Sequence, residues 1–191
     1  MKTKIKEYIR NSITTKEKIL QNEKILQTVE TICNEIINAL KNGNKILFVG
    51  NGGSASDCDH LATEFVSKFY KDRQAFNAIS LTSNNSLITA LSNDFSYDKA
   101  FSRQIEAIGK KGDILFALST SGNSKNIIDS INIANEMELI TIGLTGERSC
   151  DMDNICKILI KIPSSETPNI QEAQMTLGHL ICLLVEDELL K

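Results

Sequence analysis

The sequence lacks the features that mark several large classes of protein. Its 21 basic residues do not exceed its 24 acidic ones, so it has no excess of positive charge for nucleic-acid binding. No apolar run approaches the roughly 20 residues that span a bilayer. The first ten residues, MKTKIKEYIR, contain no apolar segment of the signal-peptide kind. We therefore expect neither a nucleic-acid partner nor a membrane partner.

Cysteine and histidine are few and scattered. The five cysteines are odd in number and form no C-x-x-C pair, which indicates reduced thiols in a cytoplasmic protein rather than disulfides or a thiolate metal site. The chain contains only two histidines, His60 and His179.

Unbroken apolar runs alternate with amphipathic segments along the chain. Such runs are typical of strands covered on both faces, and their alternation with helices predicts an α/β fold with a five-stranded parallel sheet flanked by helices. We predict strands over residues 45–49, 76–81, 113–119, 139–145 and 155–162. We predict helices over residues 84–93, 97–109, 124–137 and 169–190.

The first 41 residues are predicted to be helical. Ile5, Ile9 and Ile13 form one apolar stripe, and a second stripe extends from Leu20 to Leu40. Stripes of this kind usually pack in a core or against another subunit. We therefore predict one structural domain, with an N-terminal helical segment (1–41) that serves oligomer packing and a ligand-binding part (42–191).

A glycine-rich turn, Gly50-Asn51-Gly52-Gly53-Ser54, follows the first predicted strand. Glycines allow positive φ and let a ligand approach the backbone. Ser54 or Ser56 is expected to cap the next helix. On that helix, His60 and Glu64 are four residues apart and share one face. They could form a metal pair, an acid/base pair or an ordinary solvated pair.

A loop rich in hydroxyl groups follows the third predicted strand. It contains Ser119, Thr120, Ser121 and Ser124 and comes directly before a helix. Hydroxyl groups and the N–H groups of a helix N-terminus can bind a phosphate dianion, and parallel sheets bind ligands at this edge. The alternative is a polar turn that only caps the helix.

The last predicted helix contains His179 in an apolar run, with Gln171 two turns earlier. From spacing alone, His179 is typical of a hydrogen-bonded core histidine.

Taken together, these segments resemble the sugar isomerase (SIS) domain and, more closely, the phosphoheptose isomerase family. The resemblance covers nearly the whole chain. It is carried by GNGGSASDCDHLATEF (50–65), SNDFSYDKAFSRQ (92–104), GDILFALSTSGNSKNI (112–127), TIGLTG (141–146) and TPNIQEAQMTLGHL (167–180).

The resemblance implies a doubly wound, flavodoxin-like SIS domain in a homotetramer. It also implies conversion of sedoheptulose 7-phosphate to D-glycero-D-manno-heptose 7-phosphate, the first step toward activated heptose for lipopolysaccharide or capsule. The implied substrate-binding residues are Asn51, Gly52, Gly53, Ser54, Asn93, Asp94, Ser119, Thr120, Ser121, Ser124 and Gln171.

The resemblance further implies one zinc ion per subunit, with ligands His60, Glu64, Gln171 and His179. The reaction moves a proton from C1 to C2 through an enediol, and we assign Glu64 as the base and His179 as the acid. Zinc would polarise the carbonyl group. Whether Glu64 acts as base, ligand or both stays open, because a metal-bound carboxylate is a poorer base.

Two alternatives remain. One is a binding-only SIS protein of the DnaA initiator-associating type, but that relative lacks the equivalents of Glu64 and His179. The other is isomerisation of a different phosphosugar. Departures from the family at Lys68, Asn169 and Gln174 leave the exact substrate stereochemistry open. Which subunit supplies which site residue also stays open.

Overall fold

Five parallel strands form the centre of the chain in the computed structural model, which describes residues 1–191. The strands are β1 (Ile46–Gly50), β2 (Ala78–Ser80), β3 (Ile114–Leu118), β4 (Ile140–Gly146) and β5 (Ile158–Ile162). Their order in the sheet is β2-β1-β3-β4-β5. This is the doubly wound, flavodoxin-like order, and it confirms the predicted fold class.

Helices cover both faces of the sheet. They are α1 (Lys2–Leu20), α2 (Glu23–Lys41), α3 (Gly53–Val66), α4 (Asn85–Asp94), α5 (Ser102–Ile108), α6 (Lys125–Glu136) and α7 (Thr167–Leu189). One hydrophobic core joins the sheet to α1, α2, α3 and α7, and a second joins it to α5 and α6. No helix combines the length and apolarity that a membrane crossing requires.

The central strands are apolar without interruption because they are buried on both faces. Phe48 faces the first core, where its ring lies 5.3 Å from that of Phe116, while Leu47 and Val49 face the second core. The register pairs Gly50 with Leu118, so β1 and β3 end side by side. The turns that follow these strands therefore lie next to each other.

Three predicted boundaries were wrong in extent. β2 has only three residues instead of the predicted 76–81, because Phe76 bonds to the end of α3 and not to β1. The predicted helix 97–109 is a short 3₁₀ turn (Tyr97–Lys99) followed by α5. β5 begins at Ile158, because the N–H groups of Ile155 and Cys156 bond to Met152 O in the preceding 3₁₀ turn (Asp151–Asn154) and not to β4.

The two N-terminal helices pack differently from each other. Ile32 and Ile36 of α2 are fully buried, as expected of a core stripe. Ile5, Ile9 and Ile13 of α1 are 50–54% exposed, so this stripe is not part of the core. Instead, α1 contacts α7 through a polar face, where Lys16 binds Glu172. The division at residue 41 stays a prediction.

Candidate active site

An amide pair joins the two neighbouring turns at the carboxyl edge of the sheet. Asn51 and Asn126 exchange two hydrogen bonds of 2.8 Å, and the Tyr97 hydroxyl donates to Asn51 Oδ1 at 2.7 Å. The β1 turn, the start of α6 and the segment after α4 are therefore tied together. Neither Asn126 nor Tyr97 was predicted as a site residue from the sequence, although both lie within the stretches that carry the family resemblance.

The glycine turn leads into α3 without a side-chain cap. Gly52, with φ of +57°, is the N-cap residue, so the predicted capping by Ser54 or Ser56 was wrong. The helix begins at Gly53, and this places both serines inside it. A Cβ atom on Gly53 would lie 2.6 Å from Gln171 Nε2, so only glycine lets the side chain from α7 lie over this turn.

The Gln171 side chain reaches a carboxylate that sequence analysis did not select. Its Nε2 donates to Asp57 Oδ2 at 2.8 Å, and Asp57 lies one turn before His60 on α3. Burial raises the pKa of Asp57, while the hydrogen bond from Gln171 and the nearby His60 oppose that rise. Only the packing of α7 on α3 reveals that Asp57 belongs to this group.

The two histidines of the chain meet where α3 and α7 pack together. His60 Nε2 and His179 Nε2 are 2.8 Å apart, and Glu64 Oε1 lies 3.5 Å from His60 Nε2. The helices come close because a Cβ atom on Gly178 would lie only 2.8 Å from Leu61. His179 is partly exposed and faces another imidazole, so the alternative of a core histidine is wrong.

The donor set at this contact matches zinc chemistry in residue type. No group of three or more His, Cys, Asp or Glu side chains already surrounds a common point, since His60 and His179 contact each other directly. Two imidazole nitrogens and one carboxylate oxygen are a donor set of catalytic zinc sites. The amide of Gln171, which donates through Nε2, would supply its oxygen as a less common ligand. The residues therefore fit the expected metal.

The hydroxyl groups of the β3 loop have different surroundings. Ser119 is buried and its Oγ accepts from Gly122 N at 3.1 Å, so this hydroxyl shapes the loop. Ser121 is exposed. Ser124 is the N-cap of α6 but makes no side-chain cap bond, which leaves its hydroxyl free beside the helix N-terminus. The hydroxyls of Ser121 and Ser124 can both still donate, at a position where helix N–H groups attract anions.

A cavity of about 200 Å³ opens beside this loop. Ile170 is its only hydrophobic lining residue, and Thr120 and Ser121 contribute from the loop. Glu147 and Arg148, directly after β4, contribute one negative and one positive charge to its lining. A lining that is almost entirely polar suits a hydroxylated or phosphorylated ligand rather than an apolar one.

Asn93 and Asp94 lie at the end of α4 on the surface. Asn93 Nδ2 donates to Asp94 Oδ1 at 3.0 Å, and neither residue hydrogen-bonds the glycine turn or the β3 loop. Their connection to the site passes through Tyr97, three residues further on, which binds Asn51. Their contact with substrate stays a prediction.

Comparison with known proteins identifies the same family that the sequence motifs resemble. A family model described as SIS domain matches residues 7–146. The chain is 47% identical to phosphoheptose isomerase 2 of Campylobacter jejuni subsp. jejuni, covering 97% of this chain and 92% of that protein. It is 46% identical to phosphoheptose isomerase of Aneurinibacillus thermoaerophilus, with 98% and 94% covered.

Solved structures agree over the same length. The structure of phosphoheptose isomerase GmhA from Neisseria gonorrhoeae superposes with a TM-score of 0.90 at 33% identity, covering 97% of this chain and 98% of that one. A phosphoheptose isomerase from Francisella tularensis superposes with a TM-score of 0.93 at 29% identity, with 97% of each chain covered.

Proposed function

Because the chain belongs to the SIS-domain family and, within it, to the phosphoheptose isomerases, we propose that it isomerises sedoheptulose 7-phosphate to D-glycero-D-manno-heptose 7-phosphate. The product would enter the biosynthesis of activated heptose for lipopolysaccharide or capsule. The observation that carries the proposal is the contact between His60 and His179 beside Glu64. His60 and Glu64 lie on α3, which begins in the glycine turn next to the hydroxyl loop.

The substrate phosphate is assigned to the β3 loop. Its oxygens can accept from the hydroxyls of Thr120, Ser121 and Ser124, of which Ser121 is exposed and Ser124 makes no side-chain cap bond. Ser119 stabilises the shape of the loop. The polyhydroxy chain then extends toward the neighbouring glycine turn. There Gln171 lies over Gly53, and Asn51 is oriented by Asn126 and Tyr97.

Proton transfer is assigned to Glu64 and His179. Glu64 takes a proton from C1 of the ketose, and the C1–H electron pair forms the C1–C2 double bond of the enediol. His179 gives a proton to O2 at the same time. Return of the proton from Glu64 to C2, with loss of the O1 proton to His179, gives the aldehyde at C1.

Zinc is part of the proposal, held by His60, Glu64, Gln171 and His179. When bound, it would act as a Lewis acid on the sugar oxygens. The support is the donor set: His60, Glu64 and His179 lie at one contact between α3 and α7, and Gln171 binds Asp57, one turn before His60 on α3.

The test is an isomerase assay on purified protein with sedoheptulose 7-phosphate, before chelation, after chelation and after zinc is added back. We expect turnover that is lost on chelation and restored by zinc. Turnover indifferent to chelation would refute the zinc assignment and leave the isomerase assignment standing. Absence of turnover in the folded, zinc-loaded protein would refute the substrate, and a panel of other ketose and aldose phosphates would follow.

A homotetramer in the cytoplasm is the remaining part of the proposal. The exposed apolar face of α1, formed by Ile5, Ile9 and Ile13, supports assembly because an isolated chain would leave it in water. Five free cysteines support a reducing compartment. Light scattering should give four times the chain mass, and Ile9→Asp should reduce it. A monomeric wild-type protein would contradict the assembly.

A further inference from the structure

A buried ion pair links α7 to the segment that follows α3, and no step of the proposed reaction uses it. Arg73 Nε donates to Glu186 Oε2 at 2.8 Å. The two side chains are only 2% and 1% exposed. Burying two charges is costly unless each is well satisfied by further hydrogen bonds, and both groups meet that condition.

Arg73 binds the end of α3. Its Nη2 donates to the carbonyl oxygen of Glu64 at 2.9 Å, and its Nη1 donates to that of Phe65 at 2.9 Å. Carbonyl groups in the last turn of a helix lack partners within the helix, so a side chain that binds them fixes that turn. The guanidinium also stacks on Phe76, with Cζ 3.9 Å from the ring centroid. Arg73 therefore holds the backbone of the proposed base.

Glu186 binds the segment that follows α3. Its carboxylate accepts from the backbone N–H groups of Phe69, Tyr70 and Lys71 at 2.9, 2.8 and 2.8 Å. Burial alone would raise the pKa of Glu186, but these three N–H groups and Arg73 lower it to about 2. The carboxylate is therefore charged throughout the neutral range.

The segment that Glu186 holds touches the proposed acid. The ring centroid of Phe69 lies 5.8 Å from that of His179. Glu186 and His179 are seven residues apart on α7, so they share one face of the helix. One buried pair thus reaches Glu64 through its backbone on one side and the His179 ring through Phe69 on the other.

We propose that Arg73 and Glu186 are positioning residues that set the separation of Glu64 and His179. This inference rests on the roles proposed for those two side chains. Neither Arg73 nor Glu186 takes part in proton transfer. Their effect on the rate arises because a misplacement of about 1 Å can cost roughly a hundredfold in rate.

The main experiment compares Arg73→Lys and Glu186→Gln with a matched control. Lysine keeps the charge but cannot bind Glu186 and two carbonyl groups together in a fork. We expect kcat to fall ~10- to 100-fold in both variants with KM unchanged within about twofold. The control is Asp113→Asn, which disrupts another buried pair, Lys45–Asp113, at the opposite edge of the sheet. It should lose stability but keep its kcat.

Two further measurements separate positioning from general stability. Ethylguanidinium added to Arg73→Ala should restore part of kcat, and it should have no effect on Asp113→Asn. A crystal structure of Arg73→Lys should show the Glu64 and His179 side chains displaced relative to each other, and that of Asp113→Asn should not.

All assays should be carried out near neutral pH, because the folded-state pKa of Glu186 is about 2 and its ordinary value is 4.5. Its stabilising contribution is fully present above pH 4.5 and is lost as the pH falls toward 2.

Kcat within twofold of wild type in both pair variants would overturn the inference. An Asp113→Asn variant that loses as much kcat at the same loss of Tm would also overturn it. Turnover by the wild-type protein tests the proposed function separately. The crystallographic comparison tests the positioning itself, whichever phosphosugar proves to be the substrate.

Discussion

The turns after β1 and β3 start at paired residues and each contains a glycine with positive φ, yet they serve the site in different ways. In the β1 turn, the absence of a side chain on Gly53 admits Gln171 from α7. In the β3 turn, Gly122 has φ of +68° and is enclosed by Cys150 and Thr145. One turn leaves room for another part of the chain, and the other is the loop to which phosphate binding is assigned in the proposed function.

This difference explains why the two halves of the site are unequally visible in the sequence. The hydroxyl groups proposed to bind the phosphate lie within one short stretch, Ser119 to Ser124. The groups proposed for proton transfer come from two helices, and His60 and His179, which meet there, are 119 residues apart in the chain. Contiguous groups can be recognised from local pattern, whereas groups joined by helix packing cannot.

The largest effect should come from the side chains at the helix contact. Glu64→Gln and His179→Gln should each lower kcat by roughly 10³- to 10⁴-fold, since this is the upper range for positioned acid–base groups. Glu138→Gln is the matched control, because Glu138 is exposed and pairs only with Lys111. Steady-state kinetics on folded protein checks this, and more than a tenth of wild-type kcat in either variant would contradict the assignment.

Alanine at the two glycines would test the comparison directly. Gly53→Ala should lower kcat/KM by ~100-fold with little loss of stability, because the new Cβ displaces only the flexible end of Gln171. Gly122→Ala should instead lower the free energy of unfolding by about 1 to 3 kcal/mol, since its Cβ meets Cys150 and Thr145 at a left-handed φ. Kinetics and urea unfolding on both variants would decide. If both variants lost kcat/KM and free energy of unfolding to the same extent, the proposed difference between the two turns would be wrong.

Within the β3 loop, two serines should separate binding from loop structure. Ser121→Ala removes an exposed hydroxyl assigned to the phosphate and should raise KM about tenfold, at the lower end for a charge-assisted hydrogen bond. Ser119→Ala removes the acceptor for Gly122 N and should cost about 1 kcal/mol of stability. Substrate titrations and thermal unfolding provide the two readouts. An unchanged KM for Ser121→Ala would argue against the phosphate assignment.

The smallest effect should come from the hydrogen bonds of Asn51 that join the two turns. Tyr97→Phe loses one hydrogen bond to Asn51, which keeps its pair with Asn126, so kcat/KM should fall about fivefold, equivalent to about 1 kcal/mol. Tyr8→Phe on the exposed face of α1 is the control and should behave as wild type. A Tyr97→Phe enzyme with full activity would show that Asn126 alone orients Asn51.

Much of the fold could be predicted because strands buried on both faces carry unbroken apolar runs. The runs around Ile46–Gly50 and Ile114–Leu118 identified the two central strands within one residue at each end. Prediction was poorer at the edges. β2 is short because Phe76 N bonds to Phe65 O at the end of α3 and not to β1. The exposed stripe of α1 has the same period as a buried one. Periodicity shows that a face is apolar, but not what covers it.

The sequence by itself determined the parallel α/β class, the two turns at the carboxyl edge and the hydroxyl loop. These depend on residues close together in the chain. Only the tertiary structure decided that His179 faces His60, that Gln171 reaches Asp57 over Gly53, and that Arg73 and Glu186 connect the ends of two helices. The physical reason is that these contacts depend on how closely α3 and α7 approach. That approach is set by side-chain volumes at the interface, such as Gly178 against Leu61, and not by any local pattern.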